Sequence, residues 1–306
     1  MQMYLYELLL VVTAALWGLS FPAAKYIGND VDSLSFLAIR LTIAAALLLL
    51  IFRKSLKKVT SKMAWLSIGA GALLGFHSFI QLEGLRYTSS GSSAFITSTN
   101  IVFVPLFSLL FFKKKPDKGF FSGMLAVTVG FLLISGLVSL NPPAFHFTGI
   151  NYGDLLTLLC AVLTALYFIY FNTLTEKYDE TAVNVLHMIG AAAAMWCFRL
   201  FSPQKNIDLS DDLTVFWILY CAVFASAAGF WLLSKAQAKL SAAKVSVICS
   251  LESVFAMLFA AVIPGRSGEI EPITLSAAVG GIFILLGVIK ISVKRNPADK
   301  RKTERR

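Results

Sequence analysis

Long apolar runs alternate with short polar breaks along almost the whole chain, and ten of them are long enough to cross a bilayer. They lie at about 5–27, 33–52, 63–86, 89–112, 119–139, 152–174, 181–201, 213–235, 241–263 and 273–293. A helix of about 20 residues spans the roughly 30 Å of hydrocarbon and satisfies its own backbone groups. The breaks carry turn chemistry: Gly28-Asn29-Asp30, Pro116-Asp117, Asn141-Pro142-Pro143, Ser202-Pro203 and Pro264-Gly265. The pattern predicts an all-α polytopic membrane protein with ten transmembrane helices.

Composition agrees. Apolar residues make up 57% of the 306 positions and charged residues 14%, with a mean hydropathy of +0.75. Soluble domains carry about 25% charge, so lipid must solvate most of this chain. Met1-Gln2-Met3-Tyr4 lacks the basic start of a cleaved signal peptide, so the first run reads as a retained span. Cys160, Cys197, Cys221 and Cys249 all fall inside apolar runs and form no metal-binding spacing.

Charge sets the expected orientation. Arg53, Lys54, Lys57, Lys58, Lys62, Lys113, Lys114, Lys115 and Lys118 gather on one face. Lys177, Lys235, Lys239, Lys244 and the basic residues from Lys290 to Arg306 fall on that same face. The other face has only Lys25, Arg86, Arg199, Lys205 and Arg266. The positive-inside rule then puts both termini in the cytoplasm, in a bacterial-type plasma membrane. Attraction to anionic lipid headgroups accounts for the net charge of +10, and nucleic acid is not an expected partner.

The two halves of the chain resemble each other. Ala15-Leu16-Trp17 matches Ala165-Leu166-Tyr167 at an offset of 150, and Asn100-Ile101-Val102-Phe103 stands against Glu252-Ser253-Val254-Phe255 at 152. Arg86 to Gly91 parallels Ala238 to Ala243 in that same register, and Gly123 and Gly130 parallel Gly280 and Gly287 at 157. A unit of five spans is odd, so its copy inserts upside down. Inverted repeats place a solute site near the midplane and alternate access to it by rocking. The expected units are 1–145, 146–293 and a basic cytoplasmic tail, 294–306.

This arrangement resembles the EamA-type permeases of the drug/metabolite transporter superfamily, from about Leu8 to Ile291. The resemblance is carried by Ala15-Leu16-Trp17-Gly18, Gly84-Leu85-Arg86-Tyr87-Thr88, Gly153-Asp154 and Ser250-Leu251-Glu252-Ser253-Val254-Phe255. It implies export or uptake of small metabolites such as amino acids or their derivatives, with spans 5 and 10 at the periphery, where a homodimer could form. The family often has proline after the glutamate; Ser253 stands there, so span 9 is expected to lack a proline kink.

Candidate pathway residues are polar or aromatic groups inside the spans. Glu252 leads, because a carboxylate at the bilayer centre costs roughly 2.5–3.5 kcal/mol on insertion scales and is kept for a partner, water or a substrate. Its structural alternative is a buried pair with Arg40, itself a candidate anion contact. Span 4 contributes Thr97 and Asn100, which share a helical face with Ser93, among Ser89, Ser90, Ser92, Ser98 and Thr99. His77 and His187 could relay protons. Trp17 and Tyr167, as repeat equivalents, are expected on opposite walls of one cavity, with Trp231 also in mid-span. Helix packing is the plain alternative for each of these, and for the Gly71/Gly75 pair it is the expected role. Arg86, Lys25 and Arg199 lie near span ends and are expected to snorkel towards headgroups.

No zincin, hydrolase, Walker or dinucleotide motif occurs, so neither an enzyme nor a cofactor is expected. The function expected is a secondary transporter with a small-molecule substrate, in contact with the lipid bilayer. An intramembrane enzyme or lipid scramblase is the alternative.

Overall fold

A computed structural model describes residues 2–27, 30–85, 87, 96–97, 99–113, 118–145, 151–202, 207–266 and 268–293. Ser89, Ser90, Ser92, Ser93, Ser98, Arg86, Lys114, Lys115, Lys205 and the tail lie outside the described residues. Among them the chain forms ten helices. They are α1 (Gln2–Ile27), α2 (Ser33–Phe52), α3 (Ser61–Leu85), α4 (Asn100–Phe112), α5 (Lys118–Ile134), α6 (Tyr152–Lys177), α7 (Glu180–Phe201), α8 (Asp212–Gln237), α9 (Ala242–Ala260) and α10 (Leu275–Val293). Seven have the length and hydropathy of a membrane span, and α4, α5 and α10 contribute shorter apolar stretches. A small antiparallel hairpin, β1 (Val138–Leu140) and β2 (Pro143–Phe145), follows α5, with its turn at the expected Asn141-Pro142 break.

Local chemistry starts the helices. Asp32 caps α2 by accepting from the Ser35 amide, and Asn151 and Asp154 form a reciprocal capping box on α6. Asp179 caps α7 and Asp211 caps α8. Two helices are locally irregular. Residues Cys221–Ala228 of α8 wind as a π-helix. α9 breaks at Ser250, where the Ser250 hydroxyl donates to the Val247 carbonyl at 2.6 Å and Ser253 donates to the Ser250 carbonyl at 2.9 Å. The absence of proline therefore does not leave α9 regular, because serine back-bonding tightens the same turn.

Packing follows small residues, as expected where lipid supplies no hydrophobic drive between helices. α3 lies on α7 because Gly71 sits against the His187 carbonyl and Gly190 against the Ile68 carbonyl. α5 and α10 cross where a Cβ on Gly130 would stand 2.5 Å from the Gly280 carbonyl and one on Gly123 2.8 Å from that of Gly287. The glycine faces of α5 and α10 are thus occupied by each other, while Leu125 and Leu286 point outward. α1 packs on α9 and α8, α6 on α4 and α3, α2 on α8 and α7, and α3 on α7. One large buried core runs through all ten helices, from Leu10 of α1 to Ile291 of α10.

The end bearing Asp30, Asp32 and Glu271 is tied by ion pairs. Lys25 pairs with Glu271, Arg266 with Asp30, and Arg199 with Asp32 at 3.9 Å. Lys25 and Arg199 are therefore paired rather than left to snorkel, since nearby carboxylates offer them a closer partner than headgroups do.

Candidate functional site

Four helices meet at mid-depth. Trp17, near the middle of α1, donates its indole Nε1–H to the Ala225 carbonyl of the π-helical segment at 2.9 Å. The next residue, Ser226, is fully buried and bonds Nε of Arg40 from α2, the guanidinium donating at 2.9 Å. A π-turn widens the backbone spiral and frees carbonyls for outside donors, a distortion frequent at functional sites. On the other flank Gly18 lets α1 touch α9: a Cβ there would stand 2.9 Å from the Glu252 carbonyl and 2.5 Å from the Phe255 Cβ. Trp17, Arg40 and Glu252 are brought to one level by these contacts.

Glu252 faces the bundle interior. Its carboxylate lies within Coulombic reach of Cys160 on α6 and Cys249 on its own helix, both buried. Among the described residues it forms no hydrogen bond and no ion pair. The Arg40 guanidinium has Ser226 and, at 5.4 Å, the face of Phe36, but no carboxylate among the described residues. The expected alternative, a structural Arg40–Glu252 pair, is not formed. Each charge keeps partial exposure inside a packed bundle.

Beside them runs a buried polar chain. Cys160, Thr164 and Tyr167 share a face of α6; the Cys160 thiol and Thr164 hydroxyl are 3.7 Å apart, and Thr164 Oγ1 is 3.4 Å from Nδ1 of His77 on α3. The Tyr167 hydroxyl lies 3.0 Å from Nε2 of His187 on α7. The His77 ring is 5.2 Å from that of Tyr167, and Nε2 of His77 has no partner among the described residues. His187 Nδ1 turns towards the Asn184 carbonyl one turn back, at poorer than hydrogen-bonding geometry.

Not every expected pathway residue joins this centre. Tyr167 is 1% exposed and stacked on Phe171, so it is packed in the core and does not stand as a wall opposite Trp17. Phe230 separates the two, 5.1 Å from Trp17 and 5.6 Å from His187. Trp231 stacks on Phe52 at 5.6 Å with Lys235 at 5.9 Å, which places it towards the lysine-rich end and away from mid-span. Position along the axis explains this, since Trp231 is six residues from the end of α8. Thr97 has a buried, unpartnered hydroxyl among the described residues, and Asn100 opens α4 after Thr99, whose side chain makes no cap bond.

Sequence reasoning missed Ser226, Thr164 and the pair Glu7–Lys244. The last left a signal: Glu7 is the one acid in the first apolar run and Lys244 a lone cation in the ninth. No group of three His, Cys, Asp or Glu side chains suited to a metal occurs among the described residues.

The sequence profile of the EamA-like transporter family matches residues 5–136 and again residues 151–293. The chain belongs to that family. It is 29% identical to an "Uncharacterized transporter" of Archaeoglobus fulgidus, over 94% of this chain and 86% of the relative. It is 24% identical to the "Uncharacterized transporter YyaM" of Bacillus subtilis, over 90% and 89% of the two chains. A solved crystal structure shares the fold with a TM-score of 0.75 at 16% identity, covering 94% of this chain and 96% of its own. As an EamA-like protein the chain is a multi-pass membrane transporter.

Proposed function

We propose that this protein is a secondary transporter of small zwitterionic metabolites, amino acids or their derivatives, working by alternating access between two inverted five-helix repeats. The observation that carries the reading is the pair of opposite charges, Arg40 and Glu252, at one level of the bundle, with no ionic partner among the described residues and without pairing to each other. An unpaired intramembrane charge is costly and serves function by default. A substrate ammonium group satisfies Glu252, and its carboxylate meets the guanidinium fork of Arg40. Trp17, with its ring beside this level, packs on the apolar part.

Several features support the repeat layout, with units 1–145 and 146–293 followed by the tail 294–306. Adding five to each helix number turns the α1–α9 packing into α6–α4, α1–α8 into α6–α3, and α2–α8 into α7–α3, and all of these occur. The Gly130–Gly280 contact likewise exchanges with Gly287–Gly123 at the 157-residue offset. Both termini lie in the cytoplasm of a plasma membrane on this reading, because the lysine-rich end then obeys the positive-inside rule. The outward faces of α5 and α10 meet lipid or, in a homodimer, each other.

The test is counterflow in proteoliposomes with radiolabelled amino acids, alongside their N-acetyl and amide derivatives. Exchange of the free amino acid is expected, weaker exchange of both derivatives, and loss in Glu252→Gln and in Arg40→Gln. Wild-type transport by both variants removes the charge pair from the mechanism. Scrambling of labelled lipid with no exchange of any metabolite turns the reading to the lipid-active alternative.

A further inference from the structure

The tip between α8 and α9 is clamped at the lysine-rich end by three other helices. Lys244, in the first turn of α9, is 2.5 Å from the Glu7 carboxylate of α1, with side chains only 4% and 11% exposed. Asn172 of α6 donates to the carbonyls of Gln237 at 2.6 Å and Leu240 at 2.9 Å, on either side of the turn. Lys235, near the end of α8, pairs with Glu180 of α7 at 2.9 Å. Behind the clamp are two fully buried carboxamides, Asn184 and Gln237, whose side-chain nitrogen and oxygen atoms have no partner among the described residues.

Each bond is of a kind that breaks and reforms without leaving a permanent buried orphan, provided water reaches it when the tip moves. A fold that only needed stability would favour apolar residues at these sites, since a buried ion pair often does no better than well-packed hydrophobic groups. Four buried amide atoms without a partner among the described residues are equally poor for a static core. They suit a layer that water enters when the tip moves.

We propose that the α8–α9 tip is the moving gate of the lysine-rich end, with Glu7–Lys244 as its latch and Asn184 and Gln237 as the layer hydrated on opening. The proposal rests on the alternating-access reading above. The sequence repeat adds an asymmetry. The positions equivalent to Glu7 and Lys244 are Thr157 and Ser92, neither charged. The Glu7–Lys244 latch is therefore not repeated at the other end, which is tied instead by Lys25–Glu271, Arg266–Asp30 and Arg199–Asp32.

Thiol accessibility tests this without needing the substrate. In the full chain with Cys160, Cys197, Cys221 and Cys249 changed to Ala, a reporter is placed by Ala242→Cys, where the native side chain is 6% exposed. A membrane-impermeant thiosulfonate is applied to each face of vesicles, with Lys58→Cys as the exposed marker of the lysine-rich face. Labelling of the reporter from that face should be slow in the parent and rise about tenfold with Glu7→Gln, the change produced by about 1.4 kcal/mol taken from the closed state. Glu7→Lys with Lys244→Glu should return it to the slow rate. If Ala242→Cys folds poorly, Asn184→Cys reports on the same layer.

A second arm tests the motion. Oxidative cross-linking of Glu7→Cys to Lys244→Cys should stop counterflow, and reductant should restore it. Unchanged labelling in Glu7→Gln, or full counterflow through the cross-linked protein, overturns the gate. Absence of counterflow in the uncross-linked parent instead counts against the transport reading, while the labelling result still decides whether the tip opens.

Discussion

Glu252→Gln separates a functional carboxylate from a structural one, because the two roles predict opposite signs for stability. In a structural ion pair, removing one charge strands the other and costs about 3–5 kcal/mol. Glu252 has no such partner among the described residues, so nothing is stranded. The group carries only the penalty of holding a carboxyl inside the bilayer, roughly 2.5–3.5 kcal/mol at full depth and less with residual exposure. Glutamine keeps the volume and removes the charge, so the variant should be more stable by about 1–3 kcal/mol while transport is lost, the usual trade at a site strained for function. Each kcal/mol moves the midpoint by about 2–4 °C in a chain somewhat smaller than this one, so a rise of several degrees is expected. Thermal unfolding in detergent, followed by the monomer peak in size exclusion, reads the shift. A midpoint that falls by several degrees would falsify the argument and make Glu252 part of a structural pair.

Other expectations follow from single contacts. Gly71→Leu forces a side chain into the His187 carbonyl and should abolish the folded monomer peak, whereas Gly69→Leu, with only the Tyr170 hydroxyl at 3.9 Å, should leave it. Asn172→Ala leaves two buried carbonyls without their donor and should lower stability by about 1–3 kcal/mol, measured by the same unfolding assay. Hydrogen bonds from the Thr214 side chain to Asp211, and from the Ser210 side chain to Asp208, hold both carboxyls below the usual carboxylate range. Their contribution is complete above the unfolded value, near 3.8, and is lost as pH falls through the lower folded values. Protection of the Leu213 and Thr214 amides, taken relative to the intrinsic exchange rate at each pH, should therefore fall only in acid, and Asp211→Ala should show the low protection at neutral pH.

The fold was legible where lipid solvation dictates it. Apolar runs long enough to span hydrocarbon became helices because nothing else satisfies the backbone there. The span starts expected at 33, 181 and 213 fall within a residue of those observed, where Asp32, Asp179 and Asp211 cap the helices. The irregularities were hidden. Nothing in Cys221 to Ala228 announces a π-helix, since the distortion comes from what Trp17 and Arg40 ask of Ala225 and Ser226. The break in α9 was masked by looking for proline, when serine hydroxyls reach the same turn by another route.

The site was legible in its charges and less so in its rings. A lone acid or base in an apolar run is costly enough to draw notice wherever it sits, and Arg40 on Ser226 and Glu252 beside Gly18 flank the same stretch of α1 without pairing. An aromatic ring costs nothing to bury, so its presence in mid-span carries little information about direction. Trp17 and Tyr167 occupy equivalent repeat positions, yet one bonds a freed carbonyl beside the charges and the other closes the core against His187. The same weighting explains why Glu7 and Lys244 should have been singled out: the rule that identified Glu252 applies to them unchanged. Proximity to the lysine-rich end grouped Lys244 with the face charges and left Glu7 unremarked, but depth along a helix and burial in a bundle are different coordinates. An ion pair 4% and 11% exposed, one turn from a helix end, is where the two part company.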